Sequence, residues 1–216
     1  MIHFRMSSVP LKPYLVGIAG PSGAGKTRLA RELASRLKAP VLSLDSYYLN
    51  LANLPFDARK QSNFDVPEAL DERLLISQLT ELARGNEVQV PVYDFTRHLR
   101  SAEVRTMRPE EFTIVEGLFT LHWKGVRALL GTSVFVTAGD DVCFKRRLDR
   151  DTRERGRTPA SVHEQYTATV RPMAELYILP TSRFADLVVS GTQPIEDSVA
   201  TVLAHIKRHH PGGLPR

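Results

Sequence analysis

The sequence predicts an α/β fold in which a parallel sheet carries helices on both faces. Three observations favour it. Apolar runs of strand length alternate with longer segments of helical periodicity, the first run leads directly into a glycine-rich turn, and two later runs each end at an acidic residue. The 216 residues, of which 42% are hydrophobic, suit a single domain with one substantial core.

The first strand and the turn after it carry the clearest chemistry. An apolar run over residues 14–19 predicts a buried strand, and the residues after it fit the pattern G-x-x-x-x-G-K-[ST]. The predicted phosphate loop consists of Gly20, Pro21, Ser22, Gly23, Ala24, Gly25, Lys26 and Thr27. Its glycines let backbone N–H groups converge on the β- and γ-phosphates, Lys26 adds positive charge, and the Thr27 hydroxyl can ligate Mg²⁺. A helix over residues 27–38 directs its N-terminus at the anion, which predicts a user of nucleoside triphosphates with the three-layer P-loop NTPase fold.

Two further strands each end at an acid. Residues 41–44 run into Asp45, and residues 112–115 run into Glu116. Because ligands of open parallel sheets bind outside the carboxyl ends of the strands, both acids should converge on the phosphate loop. Asp45 is placed to accept a hydroxyl proton, and Thr27, Glu116 and Asp45 are the candidate Mg²⁺ site, directly or through water. The alternative role for Asp45 is the cap of a turn or helix.

The remaining elements complete the alternation and add one insertion. Strands are predicted at residues 133–137 and 186–189, and helices at about residues 67–84, 140–154, 160–179 and 195–209. Residues 86–108 break the rhythm, because partial strand-like alternation at 88–92 and 103–107 surrounds a polar stretch. We expect a β-hairpin there that projects from the core and carries part of the substrate site.

Positive charge is concentrated in one segment. The net charge is +5, and residues 145–157 contribute +4 of it. One local cluster suits a compact polyphosphate substrate better than a nucleic acid, which would need cations gathered along one face. Gly156 interrupts a helical pattern between Arg155 and Arg157, so we expect a hinged cationic lid over residues 145–165 that closes guanidinium groups onto phosphates. A solvated, charged helix face is the alternative.

The chain ends and the single cysteine bound the function classes further. We expect flexible tails at about residues 1–12 and 209–216, with His209 and His210 as a solvated helix end rather than a metal site. Cys143 is the only cysteine, which excludes an internal disulfide, and its expected role is a small buried or half-buried helix residue. No N-terminal apolar run is long enough for a signal peptide or membrane helix, which favours a cytoplasmic protein without a membrane partner.

Several motifs, in order along the chain, carry a family resemblance. They are Asp45-Ser46-Tyr47-Tyr48, the run from Asn63 to Asp71, the run from Pro91 to Arg100, the run from Arg150 to Arg157, and the run from Pro180 to Asp186. Together with the phosphate loop they resemble the uridine kinase (uridine-cytidine kinase) family of P-loop nucleoside kinases. The resemblance implies a single kinase domain that transfers the γ-phosphate of ATP or GTP to the 5′-hydroxyl of uridine or cytidine. It also implies Mg²⁺, a role in pyrimidine salvage, and a homotetramer without a nucleic-acid partner.

The resemblance also assigns roles residue by residue. The catalytic residues would be Asp45, as the base, with Lys26, Arg150 and Arg155. The substrate-binding residues would be Asp65, Tyr93, His98, Arg147, Arg157 and Gln165. Within this set Asp65 and Arg147 would grip the ribose, while Tyr93 and His98 would contact the pyrimidine. The residue types agree, because a carboxylate accepts bonds from two vicinal hydroxyls and a histidine tautomer suits either base. An Asx-turn is the alternative role for Asp65.

Other readings stay open at this point. Ser190-Gly191-Thr192-Gln193 replaces the Pro-Arg-Gly frequent in the family near the adenine, which leaves the preferred donor open. The nearest alternative function is another small-molecule kinase, phosphoribulokinase-like or pantothenate-kinase-like. A nucleotide-dependent switch is disfavoured because no Asn-Lys-x-Asp signature is present, and a nucleic-acid-dependent ATPase is disfavoured by the localised charge.

Overall fold

The computed structural model describes residues 12–210, 212 and 214, so most of both predicted tails lies outside the described residues. The strands are β1 (Tyr14–Ala19), β2 (Val41–Ser43), β3 (Val88–Asp94), β4 (Leu99–Met107), β5 (Phe112–Glu116), β6 (Leu130–Thr137) and β7 (Leu187–Ser190). The α-helices are α1 (Lys26–Leu37), α2 (Phe56–Lys60), α3 (Glu72–Ala83), α4 (Lys124–Arg127), α5 (Asp140–Glu154), α6 (Pro159–Gln165), α7 (Arg171–Met173) and α8 (Ile195–His209). Turns of 3₁₀-helix lie at Leu44–Tyr47, Pro67–Ala69 and Leu179–Phe184, and π-helical turns lie at Tyr166–Val170 and Ala174–Ile178.

Five strands form one parallel sheet in the order β2-β5-β1-β6-β7. The predicted α/β fold is therefore confirmed, and β1 lies at its centre with the phosphate loop at its carboxyl end. Glu116 is in register with Ser43 on one side and with Ile18 on the other. The ends of β1, β2 and β5 thus meet at one edge of the sheet, as the positions of the two acids required.

The sheet divides the expected single core in two. Because successive side chains of a strand point to opposite faces, Leu15 belongs to one cluster of buried residues and Val16 to the other. The first cluster includes α3 and both hairpin strands, and the second includes α1 and α8. Helices on both faces give three layers. The candidate site lies at the edge of the sheet where β1, β2 and β5 end.

The predicted helix over residues 67–84 begins later than expected. Pro67–Ala69 forms a separate 3₁₀ turn, and α3 begins at Glu72 because the Asp71 carboxylate caps it by accepting from the Leu74 N–H at 3.0 Å. The short helices α2 and α4 were not predicted.

The hairpin predicted at 86–108 is formed by β3 and β4, which pair antiparallel over longer spans than expected. Its tip is held by Asp94, whose carboxylate accepts from the backbone N–H groups of Thr96 and Arg97. His98 follows in a left-handed conformation with φ of +52°. The hairpin is fixed close to this tip by Arg100, whose guanidinium donates to the carbonyl groups of Tyr47 and Tyr48 at 3.0 and 2.8 Å.

The helical path predicted over 160–179 is present but not uniform. It runs from α6 through α7, with a π-helical turn on each side of α7. Pro172 lies inside α7, where it lacks an N–H and its ring crowds the carbonyl position one turn earlier, so wider turns next to it keep the path continuous.

The C-terminal end of the described chain packs onto the first strand. His209 is the last residue of α8, and its ring stacks on His205 with centroids 4.0 Å apart. The ring of His210 lies 4.8 Å from that of Tyr14 and 4.9 Å from that of Phe112. The predicted tail from residue 209 therefore overlaps the end of α8. Among the helices in the described part of the chain, none has both the length and the apolar character needed to cross a bilayer.

Candidate active site

The phosphate loop joins the carboxyl end of β1 to the first turn of α1. A turn closes inside it, where the Ala24 N–H donates to the Pro21 carbonyl at 3.1 Å. Gly23 has φ of +82°, and a Cβ on it would lie 2.3 Å from the Cys143 carbonyl oxygen. Only glycine fits there, because α5 lies directly against the loop. Cys143 itself is buried, as expected.

Lys26, Thr27 and Glu116 form a polar group at the loop, in which Lys26 and Glu116 are buried and Thr27 is exposed. The Lys26 ammonium donates to the Pro21 carbonyl at 2.9 Å, and burial lowers its pKa against the opposing effect of Glu116. The Glu116 carboxylate accepts from Ser43 at 2.8 Å and from Thr27 at 3.5 Å. Burial raises the pKa of Glu116, and Lys26 offsets this only partly.

This group fits a divalent cation. A buried carboxylate whose pKa is raised lacks compensating positive charge, and carboxylate and hydroxyl oxygens are the ligands that Mg²⁺ prefers. Within the described residues no three His, Cys, Asp or Glu side chains gather closely enough to hold a metal alone. Further ligands would have to be water and phosphate oxygens, as is usual for Mg²⁺ beside a nucleotide.

Asp45 lies in the 3₁₀ turn after β2. The turn is capped by Ser43, whose hydroxyl accepts from the Asp45 N–H at 3.4 Å, so the carboxylate of Asp45 is not used as a cap. That carboxylate accepts no hydrogen bond from the described residues. It is partly buried and lies near enough to Lys26 and Glu116 to influence the pKa of each.

Asp65 is similarly free of a local turn. The side chain of Asn63 makes the Asx-turn by accepting from the Asp65 N–H at 2.9 Å. The Asp65 carboxylate is buried and accepts from the Thr169 hydroxyl at 3.4 Å. Burial raises its pKa, and the positive charge of Arg147 opposes the rise.

Four aromatic rings, those of Tyr48, Phe64, Tyr93 and His98, form a cluster between Asp65 and the hairpin. The ring of Tyr48 lies 5.3 Å from that of Tyr93 and 5.4 Å from that of Phe64. His98 stacks on Phe64 with centroids 5.1 Å apart, and burial, followed by the charge of Arg59, lowers the pKa of His98. The Tyr93 hydroxyl is buried without a hydrogen-bond partner among the described residues, and burial raises its pKa to about 12.

A chain of hydrogen bonds connects the lid segment with the phosphate loop. Arg147 donates to the Ser22 hydroxyl at 3.1 Å and to the Gln165 side-chain oxygen at 2.9 Å. The same Gln165 oxygen accepts from Arg157, on the far side of Gly156. Gly156 has φ of +61° and no neighbour within reach of a Cβ, so the chain reverses direction there in open space.

Asp65 and Arg147, which were expected to bind the ribose together, lie near each other but form no ion pair. Both side chains are buried and interact electrostatically, but the terminal nitrogens of Arg147 bond to Ser22 and Gln165. Sequence reasoning also missed Asp151, which is fully buried among the lid arginines. The sequence did contain a signal for this burial. Asp151 lies within a basic run, four residues from both Arg147 and Arg155, and so shares their helix face.

A cavity of about 240 Å³ lies beside Gly25, at the end of the phosphate loop. It is lined by parts of α1, α5, β7 and the β7–α8 loop, including Arg28, Arg146, Gly191 and Gln193. Arg146 donates to the carbonyl of Gly191 at 3.0 Å, and the Gln193 amide donates to the Ser198 hydroxyl at 2.9 Å. The segment that departs from the family pattern therefore lines this cavity.

Comparisons with known proteins agree with this geometry. The model of the phosphoribulokinase/uridine kinase family matches residues 15–196. The uridine kinase of Lactobacillus johnsonii is 44% identical over 182 residues, which cover 82% of this chain and 86% of that protein. The uridine kinase of Deinococcus deserti is 43% identical over 200 residues, which cover 91% of this chain and 97% of that protein.

Solved structures share the fold at lower identity. A putative fructose transport system kinase from Silicibacter sp. has a TM-score of 0.67 at 23% identity and covers 87% of this chain and 93% of its own. Phosphoribulokinase from Rhodobacter spheroides has a TM-score of 0.59 at 16% identity and covers 85% of this chain and 74% of its own. A possible uridine kinase from Bacillus stearothermophilus has a TM-score of 0.53 at 20% identity, covering 82% of this chain and 89% of its own.

Proposed function

Because the chain belongs to the phosphoribulokinase/uridine kinase family, we propose that it transfers the γ-phosphate of a nucleoside triphosphate to the 5′-hydroxyl of uridine or cytidine. The products are UMP or CMP. The observation that carries the proposal is the aromatic cluster of Tyr48, Phe64, Tyr93 and His98, which lies beside the buried Asp65 carboxylate and contains the unpartnered Tyr93 hydroxyl. A flat base with polar edges and a ribose with vicinal hydroxyls match these groups.

The donor phosphates bind to the phosphate loop in this proposal. The backbone N–H groups of residues 20–27 bind phosphate oxygens, and Lys26 and the lid arginines Arg150 and Arg155 balance the charge that develops during transfer. Thr27 and Glu116, with Asp45 nearby, would hold Mg²⁺, which neutralises the β- and γ-phosphate oxygens when bound. The lowered pKa of Lys26 reflects its burial, so an incoming anion restores favourable charge pairing around it.

The acceptor nucleoside lies between the hairpin and Asp65. The Asp65 carboxylate accepts from the ribose hydroxyls, assisted by Arg147, and the Tyr93 hydroxyl with His98 bonds to polar edges of the pyrimidine. Gln165 and Arg157 hold the substrate from the lid side. Because burial lowers the pKa of His98, its ring is neutral near pH 7, and a tautomer change lets it serve as donor or acceptor.

Asp45 is the general base. Its carboxylate has no local hydrogen bond to break, and it lies beside Lys26, where the γ-phosphate would sit. It accepts the proton of the 5′-hydroxyl as that oxygen attacks the γ-phosphorus, in line with the leaving oxygen of the nucleoside diphosphate. Closure of the lid over residues 145–165 precedes this step and excludes water, so that the phosphoryl group passes to the nucleoside rather than to solvent.

Three finer points belong to the same proposal. The donor is ATP or GTP, bound with its base in the cavity that Arg28, Arg146 and Gln193 line. The working form is a homotetramer, which light scattering coupled to size-exclusion chromatography would measure directly. The protein acts in the cytoplasm, where its triphosphate donor is made.

A second candidate is a kinase of the same family that phosphorylates a different small molecule. The shared fold with phosphoribulokinase is the observation behind it. The aromatic cluster disfavours it, because a sugar phosphate or pantothenate offers no flat ring to pack against Tyr48, Tyr93 and Phe64.

A coupled ADP-release assay with ATP and Mg²⁺ tests the proposal. The acceptors are uridine, cytidine, adenosine, deoxycytidine, pantothenate and ribulose 5-phosphate, and a Lys26→Ala variant controls for contaminating kinases. We expect turnover on uridine or cytidine and little on deoxycytidine, which lacks one of the two vicinal hydroxyls. Activity restricted to pantothenate or ribulose 5-phosphate would replace this function with the second candidate.

A further inference from the structure

Asp151 lies at the centre of the lid arginines. Its side chain has no exposed surface, and one oxygen, Oδ1, lies 2.8 Å from both Nε and Nη2 of Arg150 and 3.5 Å from Nη1 of Arg155. The other oxygen, Oδ2, lies 3.4 Å from Nε of Arg147 and 4.0 Å from Nη1 of Arg157. One carboxylate therefore faces four guanidinium groups.

The four arginines come from both sides of the glycine hinge. Arg147 and Arg150 precede Gly156 on α5, and Arg155 and Arg157 flank it. The Asp151 backbone also takes part, because its carbonyl accepts from the Arg157 N–H at 3.1 Å. Asp151 thus fixes the fold-back of the hinge with its main chain and gathers the arginine side chains with its carboxylate.

The two oxygens of Asp151 are held unequally. Oδ1 accepts from Arg150 with good geometry, whereas Oδ2 and the facing Nε of Arg147 are both buried without a hydrogen bond in the described part of the chain. A buried carboxylate that is paired by charge but incompletely hydrogen-bonded is a weaker partner than one with every bond made. The arginines that face it can therefore exchange it for a better anion.

We propose that Asp151 is a positioning residue of the phosphoryl transfer, an internal anion that gathers the four lid arginines and competes with the donor phosphates for them. In the absence of a nucleotide it balances the like charges of the guanidinium groups, which would otherwise repel one another. When phosphates arrive, Arg155, held on Oδ1 at only 3.5 Å, turns to them, while Arg150 stays on Oδ1 through Nε and Nη2 and turns its remaining nitrogen to them, so the cluster keeps its alignment.

The proposal predicts two effects of opposite direction. Removing the charge of Asp151 should strengthen the binding of a polyphosphate, because an internal competitor is lost and the cluster becomes more positive. The same change should slow turnover, because the arginines are no longer held in line. A merely structural role would weaken both. The turnover effect rests on the proposed function, whereas the binding effect does not.

The test compares three variants. Asp151→Asn removes the charge and keeps the shape, and Asp151→Glu keeps the charge but displaces it by one methylene. Asp149→Asn is the matched control, because Asp149 lies on the same helix in an exposed pair with Arg153, at 3.0 Å. Calorimetry measures the binding of inorganic tripolyphosphate, and the ADP-release assay measures kcat and KM, each on protein whose folding is verified by circular dichroism and thermal melting.

For Asp151→Asn we expect tripolyphosphate binding to tighten about threefold or more and kcat to fall roughly tenfold or more. For Asp151→Glu we expect binding within about twofold of the parent and kcat lower by about fivefold. Weaker or unchanged binding in Asp151→Asn would overturn the competition, and an unchanged kcat in Asp151→Glu would overturn the positioning role. If Asp151→Asn does not fold, the kcat of Asp151→Glu decides the positioning role alone.

The design separates this proposal from the proposed function. Should the parent protein phosphorylate neither uridine nor cytidine, the function fails, but the tripolyphosphate affinities still decide whether Asp151 competes with anions. Should the parent be active while Asp151→Asn binds tripolyphosphate no more tightly, only the inference about Asp151 falls.

Discussion

Asp45 and Asp65 each stand where an acid is often used to cap a turn, and in each case a neighbour performs that task. Ser43 accepts from the N–H of Asp45, and Asn63 accepts from the N–H of Asp65. Neither carboxylate is needed for local structure. A substrate can therefore engage both acids without loosening the turns that hold them.

Asp45→Asn should lower kcat by roughly 10²-fold or more while KM for the nucleoside stays within about threefold. An amide of the same shape fills the space but accepts a proton poorly, so the chemical step suffers and binding does not. Steady-state kinetics with uridine and cytidine measure both constants.

The control for this variant is Asp57→Asn, on the exposed surface of α2. It should leave both constants unchanged. A kcat of Asp45→Asn close to that of the parent would show that Asp45 does not act as the base.

Asp65→Asn should make the ligand-free protein more stable at about pH 7, by on the order of 1 kcal/mol, while weakening nucleoside binding roughly tenfold or more. Burial raises the pKa of Asp65, so folding is opposed by the charge of its carboxylate, and the uncharged amide removes that cost. Urea unfolding and isothermal calorimetry with uridine measure the two effects.

The stability gain of Asp65→Asn should depend on pH with a definite sign. With its pKa raised on folding, the parent binds an extra proton in the folded state between the ordinary pKa, 3.8, and the raised one. Parent stability therefore falls as pH rises through this window, and the gain of the variant grows with it and is absent below the window. A gain that grew toward acid pH would contradict this assignment.

At the scale of elements, the hairpin is the part of the candidate site whose strands lie outside the five-stranded sheet. Arg100 fastens it by bonding to the carbonyls of Tyr47 and Tyr48 and by an ion pair with Asp71 at 3.2 Å. Those two tyrosines lie two and three residues after Asp45, so one guanidinium connects the hairpin to the turn that carries the proposed base.

Arg100→Gln should raise KM for the nucleoside about fivefold and leave KM for ATP within about twofold. The shorter amide cannot reach both carbonyls and Asp71, so the hairpin loses its register against the turn. Arg108→Gln is the matched control, because Arg108 lies just beyond β4 in an exposed pair with Glu87 at 3.7 Å. Equal effects in both variants would mean that the anchor is unimportant.

Elements with a strong local signal could be predicted from the sequence, and those set by tertiary contacts could not. The apolar runs predicted all five strands of the sheet, and the phosphate loop followed from its glycines and Lys26. The start of α3 at Glu72 was missed because proline is frequent at the first position of α-helices, which favoured a start at Pro67. In the structure Pro67 begins a separate 3₁₀ turn. The burial of Asp151 was missed because a run of charges reads as solvated, and only the packing of α5 against the loop and α6 encloses it.

At the scale of the whole molecule, the sheet separates two cores, one beside each of the two proposed substrate sites. Leu79, on α3, is buried in the cluster that includes both strands of the hairpin and the rings of Tyr48 and Tyr93. Leu33, on α1, is buried in the cluster that supports the helix of the phosphate loop. Both side chains are fully buried, so each truncation leaves a cavity on one side of the sheet only.

Leu79→Ala and Leu33→Ala should each lower the free energy of unfolding by about 2–5 kcal/mol but differ in their kinetic effect. We expect Leu79→Ala to raise KM for the nucleoside more than KM for ATP, and Leu33→Ala to do the reverse, because a cavity relaxes the elements next to it. Urea unfolding and two-substrate kinetics at a temperature where both variants are folded measure this. Parallel changes in both KM values would show that the sheet does not separate the two sides.

The separation of the two cores by the sheet also bears on how such a protein changes over generations. Substitutions in the layer around the hairpin would change which acceptor binds. The elements of the opposite layer, which bind the triphosphate in the proposed function, would stay unchanged. Lineages that keep one sheet can then diverge in what they phosphorylate without passing through an intermediate that has lost its donor.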